Sequence, residues 1–176
     1  MSKIRNEVRN NREERQRKKK KPLFSAWVML KYVILTVLFA AVSYGLESIV
    51  LWACNQSPTG KCGNGMITLY EIHNSGAAFG ILQNQPELIT MASFIAIGAI
   101  LAVIIFRSGR LNASASSALA VLSAGIIMNL YERINMGYVI DYISLDFWPQ
   151  IPMFNASDIM IVFGAFGIIY SLFERD

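Results

Sequence analysis

Four stretches of this chain are each about as long as a bilayer's hydrocarbon core is thick, and nearly free of charge. Buried in lipid, a backbone must satisfy its own hydrogen bonds, so an uncharged apolar run of about 20 residues reads as a membrane-spanning helix. The first stretch lies within residues 23–53 and is interrupted by Lys31 and Glu47; its most apolar window is 33–52. The second, 88–106, and the third, 111–131, carry no charge. The fourth runs from about 155 to 173, with Asp158 in its first turn. The first run is too long for the apolar core of a cleavable leader, which has 7–15 residues.

Charge is distributed to match. Residues 1–22 hold thirteen charged side chains, ten of them Lys or Arg, and the other 154 residues hold only fifteen. The net charge of +4 is therefore a basic leader of +7 on a body of −3. A basic segment ahead of an apolar helix acts as a topology anchor and sits readily on anionic lipid. It is not a basic face for nucleic acid, and no nucleic-acid partner is expected. Arg107 and Arg110 lie between the second and third stretches. The positive-inside rule then puts both termini and this connection in the cytoplasm, and segments 54–87 and 132–157 outside. Cys54 and Cys62 both fall in the first outer segment, an oxidising place, where a disulfide and two free thiols are the alternatives.

Polar groups at membrane depth are costly and mark function by default. Asn155 reads as an N-cap of the fourth helix, with Asp158 three residues on as its partner. Asp158 can also point into the bundle as a reactive carboxylate. Gly125, Asn129 and Arg133 are spaced i, i+4, i+8 and share one helix face. They read as the polar wall of a cavity, the alternative being an Arg133–Glu132 pair at the interface. Residues 137–143 are β-branched and aromatic, an extended segment with Asp141 in its middle. Residues 66–72 read as another strand, followed by a Gly- and Ala-rich turn at 76–80 that permits close backbone approach. His73, the one histidine, reads as a surface residue.

The available chemistry is narrow. There is no metal-binding HExxH and no second histidine. A serine triad would need His73, without a nucleophile elbow around any serine. Outside the tail, a Ser–Lys dyad has only Lys31, at the cytoplasmic end, and Lys61, in a polar loop. Two aspartates remain at one membrane edge, Asp141 and Asp158. Two carboxyls brought close together share a proton; one then takes a proton from water while the other donates to the scissile group. That is peptide hydrolysis by an aspartic pair, with no cofactor.

Four short segments, in order, resemble the lipoprotein signal peptidases (signal peptidase II). Asn74-Ser75-Gly76-Ala77-Ala78-Phe79 is similar to the family's N-x-GAAF box, and Asn129-Leu130-Tyr131-Glu132-Arg133 to its GN-x-x-DR box. Gly137-Tyr138-Val139-Ile140-Asp141-Tyr142 is similar to G-x-V-x-D-[FY], and Phe154-Asn155-Ala156-Ser157-Asp158 to FN-x-AD. The resemblance covers residue 30 to the end. It implies a mainly α membrane fold of four transmembrane helices with a small extracytoplasmic β-rich cradle. Residues 1–22 are then a cytoplasmic tail and 23–176 a peptidase domain. It further implies an intramembrane aspartic peptidase of the bacterial cytoplasmic membrane. Such an enzyme cuts diacylglyceryl-modified prolipoproteins before the lipid-bearing cysteine, and a monomer is expected. Asp141 and Asp158 match the catalytic pair. Asn74, Gly76, Ala77, Phe79, Asn129, Arg133 and Asn155 match residues that position substrate or the pair. The chain departs from the family pattern in four places. Residues 43–47, the match to a first-span D-x-x-[ST]-K stretch, carry Ser43 and Glu47 in place of its acid and lysine. Met128 replaces the usual glycine, Glu132 the usual aspartate, and Ser157 stands before Asp158. A degenerate relative that binds signal sequences without cutting them, and an unrelated four-helix membrane protein, are the alternatives.

Overall fold

The computed structural model describes residues 5, 22–63, 65–77, 81–83 and 85–174. Among the described residues, four helices are long and apolar enough to cross a membrane. They are α1 (Ala26–Asn55), α2 (Pro86–Arg107, prolonged by a 3₁₀ turn at Ser108–Arg110), α3 (Ala113–Met136) and α4 (Ala156–Phe173). Strands β1 (Cys62–Gly63), β2 (Ile67–Asn74) and β3 (Val139–Leu145) form one antiparallel sheet in the order β1-β2-β3. The chain is a multi-pass membrane protein, with a small sheet at one end of a helix bundle.

The opposite end is tied together by hydrogen bonds. The Gly109 amide donates to the Leu23 carbonyl (3.0 Å), and the Ser25 amide to Ser108 Oγ (2.9 Å). Asn112 Nδ2, in the cap of α3, donates to the Ser171 carbonyl near the end of α4 (3.2 Å). The start of α1, the α2–α3 connection and the end of α4 therefore lie on one side, as four successive crossings require.

The helix α3 is the centre of the bundle. Without a hydrophobic force between helices in lipid, association depends on close packing of small residues and on interhelical hydrogen bonds. Ala118, Ala120, Ser123, Ala124 and Gly125 of α3 are all buried. At Gly125 a side chain would run into the Ser157 carbonyl and Ile161 of α4. At Gly164 of α4 a Cβ would lie 2.6–2.7 Å from Leu122 of α3. Helix α1 is held on by hydroxyls: Tyr32 to Ser123 (2.8 Å), Thr36 to the Ala120 carbonyl (3.5 Å) and Ser43 to Ser157 of α4 (2.8 Å). Met128 is accommodated as a buried side chain.

Two details differ from the sequence-based expectation, and the cysteines take one of the two alternatives it left open. Helix α1 begins at Ala26, with Lys31 inside it, because Ser25 caps it by accepting from the Val28 amide (3.4 Å). Helix α3 continues to Met136, so the outer segment expected from residue 132 begins about a turn later. Gly137 ends it with a left-handed φ of 83°, its amide donating to the Arg133 carbonyl (3.0 Å). The two cysteines are free, and the buried Cys54 thiol donates to the Leu69 carbonyl (3.4 Å). The basic tail, apart from Arg5, lies outside the described residues.

The α3–α4 seam yields a stability test. Gly164→Val forces the two backbones apart and should cost about 2 kcal/mol of bundle stability, the usual scale of overpacking. Gly98→Ala, where nothing lies within 4 Å, should be neutral. Unfolding midpoints in mixed detergent check this; equal midpoints for the two variants would contradict the packing.

Candidate active site

Strand β3 is buried over its first four residues. Ile140 and Tyr142 pack with Ala156, against Val50 and Leu51 of α1. Side chains alternate along a strand, so Asp141 faces the other way. On one edge β3 pairs with β2, Asn74 opposite Val139 and Ile72 opposite Asp141. On the other, Phe154 is stitched to Ile143 by two backbone bonds of 2.9 and 3.2 Å. That stitch delivers the start of α4 beside Asp141.

Asn155 then does two things. Its Oδ1 accepts from the Asp158 amide (2.9 Å), and its own amide donates to Asp158 Oδ2 (3.2 Å), a complete capping box. Its Nδ2 reaches across to Asn129 Oδ1 (3.1 Å), the Ile140 carbonyl (3.2 Å) and Asp141 Oδ1 (3.4 Å). One fully buried amide thus touches both aspartates. Each acid has a second asparagine on its other oxygen. Asn129 Nδ2 donates to Asp158 Oδ1 (2.8 Å), and Asn74 Nδ2 donates to Asp141 Oδ2 (2.8 Å). Asn74 is itself oriented by accepting from the Gly76 amide (2.9 Å). The cap role and the reactive-carboxylate orientation of Asp158 are therefore compatible in one geometry.

Arg133 closes the ring. Its Nη2 donates to the Gly76 carbonyl (3.1 Å) and its Nη1 to the Asn129 carbonyl (3.4 Å). Its buried Nε has no hydrogen-bond partner among the described residues. The Glu132 carboxylate points elsewhere, accepting from the Ile140 amide (2.7 Å). Gly125, Asn129 and Arg133 thus all look toward α4 and the loop, as their common face predicts. Ala77 closes the loop through its amide to the Ile81 carbonyl (2.8 Å). Phe79 lies outside the described residues. His73 is exposed, stacked on Tyr138 at 4.0 Å and bonded to Glu71 at 2.7 Å, away from the aspartates.

Asp141 and Asp158 line one cavity of about 390 Å³. Asn74 and Arg133 supply its other polar wall, and the rest is apolar, from Ile151–Phe154 of the loop and Ile159, Ile161, Val162 and Phe163 of α4. Val162 and Phe163 are also exposed on the outside of the bundle. The cavity therefore borders the lipid face. Burial pushes Asp141 up from the ordinary carboxylate range to about 7, more than the Asn74 hydrogen bond offsets. Repulsion from Asp158 and Glu132 adds to the shift and Arg133 opposes it. Burial also pushes Tyr142 up to about 12, so its hydroxyl stays neutral while accepting from the Ala156 amide (3.2 Å).

Three contributors were invisible as site residues in the sequence. These are Tyr142, whose hydroxyl holds the first amide of α4, the bonded pair Ser43–Ser157, and Glu132, which accepts from the Ile140 amide. A signal was present: Ser43 and Ser157, like Glu47 and Glu132, are departures from the family boxes, and the two serines bond each other at 2.8 Å.

The raised value of Asp141 has a stability consequence. Folded Asp141 holds its proton up to about pH 7, whereas an unfolded chain loses it near pH 4. Stability is fully present below the unfolded value and falls as pH rises through the folded one. Asp141→Asn abolishes that loss, so it should melt higher than the native chain at pH 8, with the gap narrowing below pH 7 and closing near pH 4. A gap independent of pH in thermal melts would contradict it.

A family model described as Signal peptidase (SPase) II matches residues 28–174. A protein named lipoprotein signal peptidase from Moorella thermoacetica is 33% identical over 105 residues, 57% of this chain and 65% of its own length. One of the same name from Chlamydia pneumoniae is 28% identical over 117 residues, 65% of this chain and 69% of its own. Another, from Dehalococcoides mccartyi, is 34% identical over 135 residues, 70% of this chain and 78% of its own. The chain thus spans just under two thirds of the Moorella relative and somewhat more of the other two. A solved bacterial membrane enzyme, determined in meso at 2.3 Å, superposes with a TM-score of 0.71 over 88% of this chain and 92% of that one, at 20% identity. A second, at 1.9 Å, gives 0.70 over 89% and 99%, also at 20% identity. At that identity the likeness concerns the fold.

Proposed function

The chain belongs to the signal peptidase II family, and from that premise we propose that it is an intramembrane aspartic peptidase that removes signal peptides from prolipoproteins. The observation that carries this reading is the pair Asp141 and Asp158 on one cavity at the lipid edge, bridged by Asn155.

The chemistry follows from the asymmetry of the pair. Asp158 accepts from the Asn129 side chain and the Asn155 amide. Asp141 is more deeply buried and retains a proton to about pH 7. In this reading the two acids share one proton during the reaction. The ionised member draws a proton from water as the water attacks the scissile carbonyl, and the protonated member donates to the developing oxyanion. In collapse of the tetrahedral intermediate, a proton passes to the departing amine. Arg133 and Asn74 hold the loop and the Asp141 carboxyl, and with Gly76 they stand where an extended substrate backbone enters. A site bordering lipid suits a substrate that carries acyl chains, here a diacylglyceryl-modified cysteine. The termini face the cytoplasm in this reading, on the charge argument, and the sheet covers the site from outside. The chain works as a monomer within membrane lipid.

The test is cleavage of a diacylglyceryl-modified precursor by the purified protein, followed by gel shift. Asp141→Asn and Asp158→Asn should each lower kcat on the order of 10³-fold or more while the protein still accumulates in the membrane. Full activity in either variant would exclude the aspartic pair.

A further inference from the structure

The first turn of α4 carries Asp158, and three other elements grip it one residue at a time. The Ala156 amide donates to the Tyr142 hydroxyl of β3 (3.2 Å). The Ser157 hydroxyl is bonded to the Ser43 hydroxyl of α1 (2.8 Å). Asp158 itself accepts from the Asn129 side chain of α3 (2.8 Å). Ser43, Tyr142, Ala156 and Ser157 are all buried.

The Asn129 bond acts on the carboxyl directly; the other two act on the backbone that carries it. The first amides of a helix have no partner within the helix, so a buried one needs an acceptor from elsewhere. Tyr142 supplies it for Ala156, and Tyr142 immediately follows Asp141. One hydroxyl therefore ties the strand of the first acid to the helix of the second. Ser157 is held from two sides. Ser43 bonds its hydroxyl, and α3 comes so close to its carbonyl at Gly125 that a Cβ there would overlap it. Successive helix residues point about 100° apart, so turning Ser157 toward α1 fixes the direction in which Asp158 leaves the helix.

We propose that Ser43 and Tyr142 are positioning residues of the peptidase, which set the rotation and placement of the first turn of α4 and so the separation of Asp158 from Asp141. This rests on the reading of the two aspartates as reacting groups. Ser43, Tyr142 and Ser157 do not line the cavity, so they act through the backbone of α4 and not on substrate. Ser43 and Ser157 both depart from the family boxes, and each supplies the other's hydrogen-bond partner.

Two readouts on the full-length protein test the anchors. With a diacylglyceryl-modified precursor, Ser43→Ala, Ser157→Ala and Tyr142→Phe should each lower kcat about 10-fold with KM within about twofold, the scale of a slightly displaced catalytic group. The double variant Ser43→Ala with Ser157→Ala should be no slower than the slower single one, because both changes remove the same bond. Native kcat in Ser43→Ala or in Tyr142→Phe, with only the melting temperature lowered, overturns the positioning role, as do losses that multiply in the double serine variant. Amide exchange at Ala156, followed by NMR, should quicken about 5- to 10-fold in Tyr142→Phe, the scale of one lost hydrogen bond. Unchanged exchange overturns the Tyr142 anchor. Cleavage by Asp141→Asn or Asp158→Asn would instead sink the aspartic pair itself, and the exchange rate reads the anchor independently of that result.

Discussion

Two carboxyl groups held at the edge of a membrane need donors, and the buried Asn155 amide supplies one to Asp141 while its carbonyl and backbone fix Asp158. A carboxylate stripped of water is costly unless several donors replace the lost hydration. Three asparagines do so here, from β2, α3 and the cap of α4. The rest of the structure serves to bring those three elements within reach. Backbone bonds from Ile143 to Phe154 set the cap against β3, and the β2–β3 register puts Asn74 next to Asp141.

The bundle makes that convergence rigid. Close approach at Gly125 and Gly164 locks α4 to α3, so Asn129 and Asp158 face each other at fixed distance. Hydroxyl contacts then hold α1 to the same pair of helices. In lipid such contacts replace the hydrophobic effect as the source of specificity. The polar residues of α1 and α3 thus join helices along the bundle, and at its sheet end Asn129 and Arg133 of α3 reach the candidate site.

Much of this was legible before any coordinates. The four spans follow from apolar length alone, and both aspartates stand out because acids are rare in such segments. The cap of α4 was readable from Asn155 and Asp158, but its second role was not: an N-cap asparagine looks the same whether its Nδ2 meets water or a carboxylate. The end of α3 was misplaced because Glu132, Arg133 and Asn135 look like loop residues, and only the left-handed Gly137 shows where the helix stops. The contact of Ser43 was hidden for another reason. It joins residues 114 positions apart, and no periodicity within α1 reports a partner on another helix. The departure of Ser43 and Ser157 from the family boxes was visible, yet only the fold shows that the two meet.

The central claim is that Asp141 and Asp158 hold one proton between them during catalysis. The pH dependence of kcat/KM on a diacylglyceryl-modified precursor tests it most directly. The account predicts a rate that falls on the alkaline side, near the value of about 7 set by the burial of Asp141. A rate that keeps climbing through the alkaline range, as for a nucleophile that must lose a proton, would contradict it.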